Sequence, residues 1–125
     1  MKNNFKTNKT LFQSQLHAIK GILQIVKNER NFRIQIAVAI VVTLTGIILK
    51  ISHNDWIAVG FLIALVLISE AFNSVIEAVC DTVSKEYRVN IKYAKDVSAG
   101  AVLVSAILSV ILGLIIFIPY IIKIF

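Results

Sequence analysis

Cysteine occurs once in this chain, at Cys80. That excludes an intrachain disulfide and any cysteine-built redox or zinc framework. Charge is also scarce: Asp, Glu, Lys and Arg make up 16% of the 125 residues, less than a soluble domain of this length carries. The two histidines, His17 and His53, lie far apart and match no metal spacing. No G-x-x-x-x-G-K-S/T, G-x-G-x-x-G, H-R-D or D-F-G element occurs, so any nucleotide is bound without a P-loop or a protein-kinase site. No internal repeat and no second domain is evident, so residues 1–125 read as one unit. The first 33 residues are basic and amphipathic, unlike a cleavable signal. What remains is 58% hydrophobic, with a mean hydropathy of +0.83. The composition is that of a small all-α integral membrane protein.

Three apolar spans, 34–50, 56–80 and 97–122, are long enough, or nearly so, to cross a ~30 Å hydrocarbon core at ~1.5 Å per residue. The first is short and is expected to recruit residues from the segment before it. A tight polar turn at 50–55 joins the first two, with Trp56 as an interface anchor. A longer polar loop, 81–96, joins the second and third. Seven Lys or Arg residues precede the first span, the short turn has only Lys50, the longer loop has four and the tail has Lys123. By the positive-inside rule, the N-terminus and the 81–96 loop are expected in the cytoplasm and the C-terminus outside. The protein should be multi-pass.

Ahead of the spans, residues 10–28 carry Phe12, Leu16, Ile19, Leu23 and Val26 at alternating steps of four and three. That predicts a fourth, amphipathic helix lying in the cytoplasmic interface, with lysines toward lipid phosphates. An amphipathic helix packed on the spans is the alternative. Residues 1–9 are polar and basic and are expected to be a disordered tail.

The second span contains an anomaly. Residues 56–69 carry no charge, and then Glu70, Asn73 and Glu77 follow at i, i+3, i+7, on one helix face. An acidic residue at the centre of a bilayer costs roughly 2.5–3.5 kcal/mol on insertion scales. Two carboxylates and an amide on one stripe therefore call for a partner: a divalent cation, a basic group or a shared proton. Glu29 precedes span one, and Lys95 and Asp96 precede span three, so the unusual charges converge on the cytoplasmic face. Glu29 and Glu77 could share a Mg²⁺ ion, which takes one or two carboxylates plus waters and phosphate oxygens. The basic loop could hold anionic phosphates. Glu70, deeper and drier, suits a general base. Asn73 could instead be interhelical glue, and each juxtamembrane charge a solvated anchor. On this ground alone, a proton-coupled exporter using Glu70 as carrier acid and a phosphoryl transferase acting on a lipid are both permitted.

Three segments decide between them. SEAFNSVIEAVCD (69–81) resembles the signature E-x-x-N-S/T-x-x-E-x-x-x-D of the small bacterial lipid kinases, the prokaryotic diacylglycerol kinase family that includes undecaprenol kinases. ERNFR (29–33) resembles that family's motif before span one, and AKDVSAGAVL (94–103) its A-K-D motif. GLIIFIP (113–119) is similar to the ending of the undecaprenol-type branch, and the resemblance covers about residues 14 to 120. It implies a homotrimer of three transmembrane helices and one surface helix per chain, with composite sites between subunits at the cytoplasmic interface. It implies transfer of the γ-phosphoryl of MgATP to a lipid hydroxyl, that of undecaprenol or alternatively of diacylglycerol, and no nucleic-acid partner. Carried over, Glu70 is the base and contacts the acceptor with Ser98 and Ala99. Glu29 and Glu77 hold the metal. His17, Glu29, Asn73, Glu77, Glu86, Tyr87, Arg88, Lys95 and Asp96 form the nucleotide site, and Asp81 is a further acidic position. Two positions depart from the best-known branch: His17 replaces a tyrosine and Thr10 an arginine. An exporter would have no use for Glu29, the basic loop or Lys95–Asp96.

Overall fold

The computed structural model describes residues 10–83 and 88–125, and these are helical apart from short joints. Four helices follow in order: α1 (Leu11–Asn28), α2 (Arg30–Leu49), α3 (His53–Val83) and α4 (Val89–Ile124). Among the described residues, α2, α3 and α4 are long and apolar enough to cross a membrane. The expected all-α architecture of three spans behind one amphipathic helix is present. The expected 1–9 tail lies outside the described residues.

Local chemistry sets each boundary. Thr10 caps α1: its hydroxyl accepts from the Gln13 N–H (3.3 Å), and the Gln13 side chain accepts from the Thr10 N–H (3.2 Å), a reciprocal capping box. Thr10 thus has a structural task that the sequence alone did not reveal. Glu29 is the single joint between α1 and α2, with extended backbone (φ −106°, ψ 108°). Arg33 closes that elbow by donating from Nη1 to the carbonyls of Val26 (2.9 Å) and Lys27 (2.7 Å), the unpaired end of α1. At the far end of α2, Lys50 is left-handed (φ 51°). The Ile51 N–H reaches the Gly46 carbonyl and the Lys50 N–H that of Ile47, both at 3.2 Å, a Schellman ending. The turn is shorter than the 50–55 read from polarity, because Ser52 accepts from the Asp55 N–H (3.2 Å) and starts α3 at His53.

The larger correction concerns 81–96. Its ends are helical: α3 continues to Val83 and α4 begins at Val89, so the connection is far shorter than a sixteen-residue loop. The segment contains no glycine or proline, and Lys92 pairs with Asp96 one turn away on α4. Polarity there marks where hydrocarbon ends, not where the helix ends. At ~1.5 Å per residue, the 31 residues of α3 and 36 of α4 outrun a ~30 Å core. Both therefore extend beyond it at the end that carries the charges.

Packing is that of a membrane protein. α3 and α4 form the main contact, α2 leans on α3, and α1 meets α2 at the elbow. The buried apolar residues are Phe32, Ile51, Val59 and Cys80; the buried polar ones are Glu70, Asn73, Ser98 and Ser105. Among the described residues, four of the nine buried ones, Gly46 included, are polar, while most Leu, Ile and Val face outward, the reverse of a water-soluble core. The α3–α4 seam is stitched by small hydroxyls: Ser98 to Asn73 Oδ1 (2.7 Å), Ser105 to Ser69 (2.8 Å) and Ser109 to the Leu62 carbonyl (3.4 Å). At the opposite end from the charges, Tyr120 donates to Asp55 and accepts from the Ser52 N–H (2.9 Å), tying the end of α4 to the α2–α3 turn. There, Gly46 lies against Trp56, leaving no room for a larger residue: a Cβ on it would stand 2.8 Å from Cη2.

Candidate functional site

The i, i+3, i+7 stripe of α3 points inward. Glu70 is 3% exposed and Asn73 8%, while Glu77, one turn nearer the aqueous end, is half-buried. Gln35 on α2 donates from Nε2 to Glu70 Oε2 (3.4 Å). Asn73 faces the other way: Nδ2 donates to Glu77 Oε1 (3.3 Å) and Oδ1 accepts from Ser98 on α4. The stripe is thus two connected pairs, Gln35–Glu70 and Ser98–Asn73–Glu77. Asn73 bonds to Glu77 and Ser98, and Glu70 to Gln35.

Glu70 and Glu77 share one face of α3, and Glu29 sits at the α1–α2 elbow. Glu29 is half-buried, and its side chain makes no capping bond to α2. Among the described residues, no three of His, Cys, Asp and Glu gather tightly enough for an all-protein metal cage. Mg²⁺ takes one or two carboxylates from a protein when phosphates and waters complete its shell, a donor type that Glu29 and Glu77 could supply.

The basic partner stands on α4. Lys95 Nζ is 2.7 Å from Asp81 Oδ1 across the α3–α4 junction, so in this state its charge is engaged by a carboxylate. Asp96 is exposed and paired with Lys92. Ser98 is buried on the seam, whereas Ala99 is exposed. His17 is exposed on α1, and Arg88 is the N-cap residue of α4, without a side-chain capping bond. Glu86 and Tyr87 lie outside the described residues.

Two residues join the site that were given no role from the sequence: Gln35, a polar side chain near the start of an apolar run, and Arg33, the last residue of ERNFR, which clamps the elbow carrying Glu29.

A family model described as prokaryotic diacylglycerol kinase matches residues 16–117. The undecaprenol kinase of Bacillus subtilis (strain 168) is 37% identical over 108 residues, which is 86% of this chain and 88% of that protein. A diacylglycerol kinase of Synechocystis sp. is 37% identical over 116 residues, 90% of this chain and 65% of that longer protein. The chain belongs to the prokaryotic diacylglycerol kinase family. It is a lipid kinase of the membrane, an all-helical enzyme that phosphorylates a lipid alcohol.

Proposed function

We propose that this enzyme transfers the γ-phosphoryl of MgATP to the hydroxyl of undecaprenol at the cytoplasmic surface of the inner membrane, giving undecaprenyl phosphate for recycling of the cell-envelope lipid carrier. One observation carries the reading: a carboxylate, Glu70, is buried on α3 where its apolar stretch gives way to charge, on the same helix face as Asn73 and Glu77. The relative named undecaprenol kinase, matched over most of both chains, supports the choice of acceptor.

Each residue has a task in that reaction. Glu70 takes the hydroxyl proton as the acceptor oxygen bonds to the γ-phosphorus and the bond to the departing ADP oxygen breaks. Gln35 holds the Glu70 carboxylate by its Nε2 contact. Glu29 and Glu77 hold the metal, and Asn73 fixes Glu77 through its 3.3 Å bond. When bound, Mg²⁺ offsets charge on the phosphate oxygens. Lys95 exchanges Asp81 for a phosphate, while Asp96, Glu86, Tyr87, Arg88 and His17 border the nucleotide. Ser98 and Ala99 line the acceptor side. α1 rests in the interface: its apolar stripe of Phe12, Leu16, Ile19 and Leu23 is exposed, as contact with lipid requires. The family resemblance implies a homotrimer, whose neighbouring helices would complete the cover of the site. The N-terminus and the 81–96 segment are cytoplasmic.

The test is transfer of labelled γ-phosphate from ATP, with Mg²⁺, by detergent-solubilised protein to undecaprenol and diacylglycerol offered separately. Faster labelling of undecaprenol is expected. Preference for diacylglycerol would overturn the acceptor, and labelling of neither the whole reading.

A further inference from the structure

The buried base needs a route by which a long lipid can present its hydroxyl. Glu70 belongs to a stripe of α3 that continues into the membrane as Leu67 and Ile63, at i−3 and i−7. Gln35, its hydrogen-bond partner, belongs to a stripe of α2 that continues as Ala39 and Thr43, at i+4 and i+8. Between these two stripes lies a cleft of about 240 Å³, lined by Ile36, Ala39, Ile40, Thr43, Ile63 and Leu67 among others. The Thr43 hydroxyl is engaged by the Ala39 carbonyl (2.8 Å), so it offers the cleft little polarity. Deeper in, α2 and α3 close on each other where Gly46 meets Trp56.

The lining of the cleft is apolar apart from Thr43, and its two helix stripes lead along α2 and α3 to Gln35 and Glu70. Thr43 lies ~12 Å along α2 from Gln35, at ~1.5 Å per residue. Gln35 adds a second pointer to a ligand: its Oε1 is buried and has no hydrogen-bond partner among the described residues. A buried acceptor left without a donor costs ~1–3 kcal/mol. A hydroxyl entering above the cleft can supply that donor before its proton passes to Glu70.

We propose that the α2–α3 cleft receives the stretch of the acceptor's hydrocarbon chain next to its hydroxyl, and that Ala39 sets the chain width it admits. The inference rests on the lipid-kinase site assigned to Glu70 above. A methyl-branched polyprenol is wide at every unit, so the small Ala39 side chain matters most for that acceptor.

The experiment compares kcat/KM for undecaprenol with that for a straight-chain long primary alcohol, in wild type, Ala39→Leu and Ala37→Leu. Ala37 is exposed and does not line the cleft. A ratio of two acceptors is insensitive to the fraction of protein that is folded, and Ala39→Val repeats the test with less added volume if the leucine variant is inactive. Ala39→Leu is expected to lower the ratio about tenfold or more, with KM for ATP unchanged and with Ala37→Leu leaving the ratio as in wild type. An unchanged ratio in both Ala39 variants, or an equal change in Ala37→Leu, overturns the cleft assignment; the occupant is then bulk lipid or a second copy of the chain. Wild type that phosphorylates neither alcohol overturns the kinase site itself, a separate outcome.

Discussion

Asn73→Leu separates a metal-orienting role from a packing role. The side chain makes two bonds, from Ser98 at 2.7 Å and to Glu77 at 3.3 Å. Loss of the first is cheap, because the Ser98 hydroxyl also lies 3.0 Å from the Lys95 carbonyl and keeps an acceptor. Interhelical hydrogen bonds in membranes average ~0.6 kcal/mol, so the α3–α4 seam should weaken by about that amount. Loss of the second bond frees a carboxylate assigned to the metal. Removing a partner that orients a metal ligand typically costs ~10–100-fold in metal affinity or activity, or about 1.4–2.7 kcal/mol. The functional loss should therefore exceed the stability loss. The assay is phosphate transfer to undecaprenol in detergent, titrated with free Mg²⁺ at saturating ATP, beside a denaturation series. The expected result is a Mg²⁺ half-saturation point raised ~10–100-fold, with little change in the midpoint of unfolding. An unchanged Mg²⁺ titration would refute the reasoning and make Asn73 interhelical glue.

Two further substitutions probe other parts of the molecule. Glu70→Gln preserves volume and the contact with Gln35 but removes the base, so turnover should fall ~10²–10⁴-fold while MgATP binding, measured by calorimetry, persists; retained turnover would remove Glu70 from the reaction. Gly46→Val forces side-chain atoms into the space held by Trp56, where even a Cβ would come within 2.8 Å; overpacking of this kind costs ~1–3 kcal/mol, to be read as a lowered thermal midpoint in detergent, and an unchanged midpoint would mean that the indole moves aside freely.

Much of this protein is legible without coordinates. The long apolar runs of 34–50, 56–80 and 97–122 had to become helices that satisfy their own backbone, since hydrocarbon offers no other partner. The spacing of Glu70, Asn73 and Glu77 placed them on one face, because helical period is a local property. The steps of four and three from Phe12 to Val26 identified α1 in the same way. Local polarity misled at 81–96: water-exposed helix and loop look alike in composition when glycine and proline are absent.

Tertiary structure decided which groups meet. Nothing local to Gln35 says that it reaches Glu70, 35 positions away, or that Asn73 turns from Glu70 to join Glu77 to Ser98. Nor could Arg33 be read as the clamp on the α1–α2 elbow that carries Glu29. Those pairings depend on how α2, α3 and α4 rotate and slide against one another, which short-range periodicity does not encode. The sequence by itself determined an all-helical membrane protein with a misplaced acidic stripe; only the packing of its helices joined that stripe to Gln35 on α2 and Ser98 on α4.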